Sequence, residues 1–277
     1  MIGQLELQTR LNDIISRNKF PRFTILTGPY GSGKKLMADK IAKQLSRYVI
    51  NVDCKVDSIR QMITQVYKVL EPTVYIIADA DNMSENAKNA ILKITEEPPN
   101  MAYIIMTLID ENNTLPTIRS RGTVYKMNPY SKYELEQYTR LNNIDLNKKD
   151  INSVLDVCST PGQINKLISV GLSSFNDFVD LVFTNINLVS GSNAFKIGDK
   201  LAFKDEDFKY PLDLFWIAFS KKCLHEFENN PIKYAHGIRV TSKYLQQLRT
   251  VNLNKQYCFD MWLLNIREEW LNYADNM

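Results

Sequence analysis

The sequence predicts an α/β domain, a parallel sheet covered by helices on both faces, followed by helical segments. Three observations carry that expectation. Short apolar, β-branched runs alternate with stretches of helical periodicity through residue 128. A glycine-rich turn joins the first strand to a helix, and beyond Pro129 the strand pattern stops.

Taken in order, Leu5, Leu7, Leu11, Ile14 and Ile15 stand at near-helical spacing and predict a short opening helix. Residues 22–27 read as a buried strand, and residues 34–48 as the helix after the glycine-rich turn. Residues 48–52 form a second strand. Asp57 is placed to cap a helix carrying Ile59, Met62, Ile63, Val66 and Leu70, which Pro72 breaks. Residues 74–79 are the third strand, and Ser84 starts a helix through Ala87, Ile91 and Ile94 that stops at Pro98 and Pro99. Residues 102–107 and 123–127 supply the fourth and fifth strands. Such sheets bind ligands beyond the carboxyl ends of their strands. Thr27, Asp79 and Thr107 stand at those ends.

After Pro129, residues 131–142, 148–157 and 161–170 predict three short helices. From Ser173 the chain again reads as helical, with Trp216, Phe219, Tyr244, Leu245, Trp262, Leu263 and Trp270 in its core and a loop at 189–193. The expected division is an α/β domain over 1–128, a small helical lid over 129–172 and a helical domain over 173–277.

Composition narrows the function classes. A chain of 277 residues with 34 basic and 31 acidic side chains has a net charge of +3, too weak a bias to mark a nucleic-acid binder by charge alone. Cys54, Cys158, Cys223 and Cys258 form no CxxC pair and read as idle thiols, not as a zinc site or disulfide framework. His225 and His236 have no partner at metal-ligand spacing. No metal site is therefore expected. The opening residues carry Glu6 and no long apolar run, so neither a signal peptide nor a membrane span is expected, and a cytoplasmic location is.

The strongest chemical signal is Gly28, Pro29, Tyr30, Gly31, Ser32, Gly33 and Lys34, followed by Lys35, between a strand and a helix. Glycines let backbone N–H groups turn inward onto phosphate oxygens, the helix N-terminus adds a favourable dipole, and Lys34 would reach the β- and γ-phosphates. The pattern breaks at its last position. A Ser or Thr hydroxyl there coordinates Mg²⁺ in active loops, and an ammonium cannot. Lys35 either neutralises phosphate charge or points to solvent.

A second motif follows. Ala78, Asp79, Ala80, Asp81, Asn82 and Met83 resemble the DEAD-x-Met box of AAA+ clamp-loader subunits. Matched position by position, Ala78 takes the place of the Mg²⁺-binding Asp, and Asp79 that of the catalytic Glu. Sliding the register leaves Ala80 where the Glu belongs, so one acidic group is missing either way. The likeness extends along 1–128: Ile2, Gly3 and Gln4 resemble the opening box, and residues 90–99 the LLKxLEEPP run of bacterial delta-prime and its ATPase paralogue. Residues 115–122 resemble the LPTIRSRC segment.

This resemblance implies an AAA+ P-loop domain, a helical lid and a collar-type helical domain used in oligomerisation. It puts Thr107 at the sensor-one place and Arg121 at the arginine finger, with Gly122 where a Cys is usual. It also implies a non-motor, delta-prime-like subunit that supplies Arg121 in trans while clamps are loaded on DNA. Partners would be other clamp-loader subunits, the sliding clamp and primer–template DNA, with Lys88 and Lys93 on a helix that faces DNA in related assemblies. ATP or ADP would be held weakly or without Mg²⁺. The departures fit that kind: Thr160 to Lys166 carries no Arg at the sensor-two spacing, and only Cys54 stands where a zinc module is usual. Two other readings stay open, an active AAA+ ATPase (a motor subunit or helicase loader) with an atypical site, and a scaffold whose loop is a relic.

Overall fold

Five parallel strands form one sheet in the order β2–β3–β4–β1–β5. They are β1 (Phe23–Thr27), β2 (Tyr48–Val52), β3 (Thr73–Ile77), β4 (Ala102–Leu108) and β5 (Thr123–Lys126). The computed structural model describes residues 3–144, 146–186, 203–204, 207–208, 211–250 and 254–274. The chain divides into two compact units, Met1–Ile144 with Ser159–Gly162, and Asp145–Cys158 with Gln163–Met277.

In the first unit, β1 and β3 are buried at every position because both sheet faces are covered. Alternate residues serve opposite faces. Phe23, Ile25, Tyr75, Ile77, Ile104 and Met106 pack with α3 (Val56–Val66), α4 (Glu85–Glu96) and α5 (Pro116–Arg119). Leu26, Val74, Ile76 and Ile105 pack with α1 (Leu5–Ser16) and α2 (Lys34–Leu45). The helix α6 (Lys132–Leu141) opens on a reciprocal cap, in which the Ser131 hydroxyl accepts from the Glu134 N–H and the Glu134 carboxylate accepts from the Ser131 N–H.

The second unit holds α7 (Lys148–Val157), most of α8 (Pro161–Val170), α9 (Leu172–Asn185), α10 (Leu212–His225), α11 (Pro231–Thr250) and α12 (Lys255–Ala274). A two-residue antiparallel ladder, Phe203–Lys204 with Asp207–Phe208, interrupts the helices. Aromatic rings fill its core. Phe219 meets Trp262 edge-on with centroids 4.8 Å apart, and the Trp262 indole N–H donates to the buried Thr241 hydroxyl at 3.0 Å.

Several sequence expectations shift. The second helix stops at Leu45, where Ser46 turns extended (φ −159°, ψ 156°) to feed β2. Lys55 stands before the first turn of α3 with no side-chain cap, Asp57 lies within that turn, and Leu70 lies outside the helix, 91% exposed beyond its end at Val66. The third strand ends at Ile77, so Asp79 stands in the turn after it. Leu245 is half-buried, whereas Trp216, Phe219, Tyr244, Trp262, Leu263 and Trp270 are buried. The expected loop at 189–193 and Ile2 lie outside the described residues.

The turn between β1 and α2 is held from its outer side. Its carbonyls at Tyr30, Gly31 and Ser32 accept from the Thr160 hydroxyl (2.8 Å), the Gly162 N–H (3.0 Å) and the Tyr130 hydroxyl (2.8 Å). Gly31, at φ +74°, meets Gly162 almost backbone to backbone: a Cβ built on Gly162 would lie 2.3 Å from the Gly31 Cα. Neither chain can yield by turning a side chain. Gly162→Ala is therefore expected to destabilise the protein by about 2 kcal/mol through overpacking, measured as a lower midpoint in chemical unfolding. An unchanged midpoint would mean that this contact is absent in solution.

Candidate functional site

The glycine-rich turn leaves β1 at Thr27 and enters α2 at Lys34, with Gly33 left-handed at φ 90° as the residue before the helix. The first N–H groups of an α-helix have no intrahelical partner, so the start of α2 offers donors and the positive end of its dipole to an anion. Lys34 is buried, with 6% exposure, and its ammonium donates to the carbonyls of Gly28 (2.8 Å) and Pro29 (3.0 Å). Burial pushes its pKa down, while the Asp81 and Asp79 carboxylates push it up. The Ser32 hydroxyl is buried with no hydrogen-bond partner among the described residues. Tyr30 and Lys35 are exposed.

Beside the loop, Asp79 adopts a left-handed conformation (φ 51°, ψ 46°) that turns the chain out of the sheet. Its N–H donates to the buried Thr107 hydroxyl at 2.9 Å. Asp81 is engaged structurally: its carboxylate accepts from the Ile109 N–H (2.8 and 3.0 Å) and the Asn113 amide (2.7 Å). Ala78, Asp79, Lys35, Asp53, Cys54 and Asn82 share the lining of an open cleft of about 450 Å³. Burial, reinforced by Asp53, Asp79 and Asp81, pushes the Cys54 thiol up to about 11 and keeps it protonated at neutral pH.

These residues fit a phosphate group better than they fit a metal ion. The loop backbone, the start of α2, Lys34 and the Ser32 hydroxyl converge on one place. At the two positions where metal ligands are expected, the chain offers a methyl group at Ala78 and an ammonium at Lys35. Among the described residues no group of three or more His, Cys, Asp or Glu side chains could hold a metal.

Arg121 lies away from that loop, on the far side of α4. Its guanidinium meets the Glu96 carboxylate at 3.2 Å and the Leu92 carbonyl at 3.2 Å, with its side chain 29% exposed. Arg119 is exposed and donates to the Asn112 side chain at 2.7 Å. Lys88 pairs with Glu85 at 3.2 Å, and Lys93 is exposed. The structure thus brings residues 28–35, Asp79 and Thr107 to one edge of the sheet and sets Arg121 apart. Sequence reasoning missed the holding roles of Tyr130, Thr160, Gly162, Asp81 and Glu96. Only long-range proximity reveals them, apart from the two small residues flanking Pro161, which mark a tight approach.

Comparison with known proteins places these motifs. A family model described as DNA polymerase III, delta subunit, matches residues 48–131. A DNA polymerase III subunit gamma from Buchnera aphidicola of Schizaphis graminum is 26% identical over 171 residues, 50% of this chain and 47% of that protein. Its counterpart from Buchnera aphidicola of Acyrthosiphon pisum is 24% identical over 244 residues, 76% of this chain and 65% of that protein. The replication factor C small subunit of Aeropyrum pernix is 19% identical over 188 residues, 61% of this chain and 57% of that protein. The chain spans between about half and two thirds of the length of these relatives. A doubly covered parallel sheet, a glycine-rich turn after β1 and an acidic turn after β3 agree with these matches, and the chain is similar to clamp-loader subunits of the DNA polymerase III and replication factor C kind.

Proposed function

We propose that this chain is a delta-prime-like subunit of a clamp loader, with an impaired nucleotide site of its own and an arginine finger offered to a neighbour. The observation that carries the reading is the mismatch within the site: a complete phosphate cradle beside two positions, Lys35 and Ala78, that supply no metal ligand. Mg²⁺-dependent hydrolysis needs the cation held by the loop hydroxyl and an acidic side chain. The cradle would hold ATP or ADP by its triphosphate or diphosphate, with Lys34 donating to phosphate oxygens in place of its own loop carbonyls. Lys35 opens onto the same cleft and supplies positive charge where the cation would sit. A bound nucleotide supplies the phosphoanhydride; this chain's residues only bind and orient it.

On this reading Arg121 works in trans. A guanidinium presents a planar fork of donors to phosphate oxygens, and a finger supplied by a neighbour stabilises charge on the transferred phosphoryl group. On this reading the partners are other clamp-loader subunits, a sliding clamp and primer–template DNA, in a cytoplasmic hetero-oligomer; relatives named as subunits of DNA polymerase III and replication factor C support an assembly. The helices from 129 onward are read as lid, to residue 172, and as collar, from 173. Among the described residues no single helix is long and apolar enough to cross a membrane. The competing reading, an active ATPase, has one observation in its favour, the Asp79 carboxylate exposed in the cleft that Lys35 lines.

Purified alone, the chain is expected to release phosphate from ATP at background rate, with or without DNA. Robust turnover that Lys34→Ala removes would establish the active enzyme instead. In fluorescent-nucleotide titrations, a chelator is expected to change the affinity less than about threefold, because the backbone cradle does not depend on a cation. A large loss on chelation would reveal a metal site.

The finger has its own test. In the assembly reconstituted with subunits that co-purify with this chain, Arg121→Ala is expected to lower ATP turnover by about tenfold or more. Arg121→Lys should recover little, since a point charge lacks the fork, and Arg119→Ala should have the smaller effect. Turnover at the parent rate in a normally formed assembly would reduce Arg121 to an interface residue.

A further inference from the structure

The geometry points to Glu96 as the residue that positions the arginine finger, with helix α4 as its mount; this rests on the reading of Arg121 given above. Two separate contacts fix the guanidinium. Nη2 lies 3.2 Å from the Glu96 carboxylate, and Nη1 donates to the Leu92 carbonyl at 3.2 Å. A guanidinium is planar, so holding both of its terminal nitrogens fixes its plane as well as its place. Both partners belong to the C-terminal part of α4, where the negative end of the dipole favours a cation; the Leu92 carbonyl also accepts from the Thr95 hydroxyl at 2.8 Å. The backbone of Arg121 is anchored on the same helix. Its N–H donates to the Ile118 carbonyl at 3.2 Å, and Ile118 is wholly buried in one cluster with Ile91 and Ile94 of α4.

The pair adds little to folding. Glu96 is 60% exposed and Arg121 29%, a degree of exposure at which ion pairs contribute little stability. What the contact does is remove freedom from a long side chain that must arrive at a phosphate in one orientation. The same helix begins at Ser84, directly after the acidic box, and the Ser84 hydroxyl caps it by accepting from the Ala87 N–H. Glu96 therefore ties Arg121 to the element that leaves the chain's own nucleotide site.

The test uses the reconstituted assembly with Glu96→Gln, Arg121→Ala and both together. Gln preserves the shape of Glu96 and removes its charge. Glu96→Gln is expected to lower kcat for ATP by about fivefold, with KM for ATP and assembly unchanged, because misorientation of a catalytic group acts on the transition state. Added to Arg121→Ala it should lower kcat no further, since both changes then remove one interaction. A Glu96→Gln assembly turning over at or above the parent rate, while Arg121→Ala is slow, overturns the positioning role and leaves the finger standing. A further loss in the double variant overturns it too, by showing that Glu96 acts elsewhere. If Arg121→Ala itself runs at the parent rate, the finger reading falls first.

Discussion

The register between β1, β4 and β3 is the constraint on which the site depends. Thr27 lies opposite Leu108, and Ile77 opposite Met106, so β1 and β4 end together and β3 stops two residues short of them. Hydrogen bonds across the ends then stitch the loops that leave them: the Gly28 N–H to the Leu108 carbonyl, and the Asp79 N–H to the Thr107 hydroxyl. A shift of one residue in β4 would exchange Ile104 and Met106 with Ile105 between two differently shaped helix layers. The wholly buried strands resist that slip, and the phosphate turn and the acidic box hold their spacing without touching directly.

The sheet and the site around it were legible for different reasons. Strands such as 23–27 and 102–108 stand out because central parallel strands are apolar at nearly every position. The loop was legible because its chemistry is local, seven consecutive residues and a strand and helix to flank them. Boundaries were less so. Nothing in the 45–48 stretch forbids another helical turn, and only pairing of Tyr48 with Thr73 sets it as a strand. The third strand was read two residues too long because Ala78 and Asp79 continue its composition, whereas the left-handed turn at Asp79 is a backbone event. The holding contacts of the loop, and Glu96 against Arg121, link residues up to 131 positions apart, and no local pattern encodes them.

The proposed function separates two kinds of work that a single active site would combine. At the loop, on that reading, the chain has a hold on phosphate, with Ala78 and Lys35 offering no ligand for a cation. At the end of α4, the Arg121 guanidinium is held by Glu96 and the Leu92 carbonyl, and on the same reading it is turned toward a neighbour. On the proposed reading such a chain acts on a nucleotide only in company, and its usefulness to a neighbour depends on rigidity, not on turnover. The three hydrogen bonds on the outer face of the loop fit that division, since they hold the cradle in shape independently of any bound group.

The left-handed turn at Asp79 bears on why this residue type stands there. Asp and Asn tolerate positive φ because their short polar side chains bond locally, whereas longer side chains pay about 1–2 kcal/mol for the crowding of Cβ against the carbonyl. Here the N–H at φ 51° is pinned to Thr107, so the backbone has little room to relax. A carboxylate one carbon longer would have to be carried on a strained backbone or would break that bond. The short acid is then as much a hinge-pin for the chain's exit from the sheet as a charge, and placing a longer acid here means rebuilding the turn before changing the side chain.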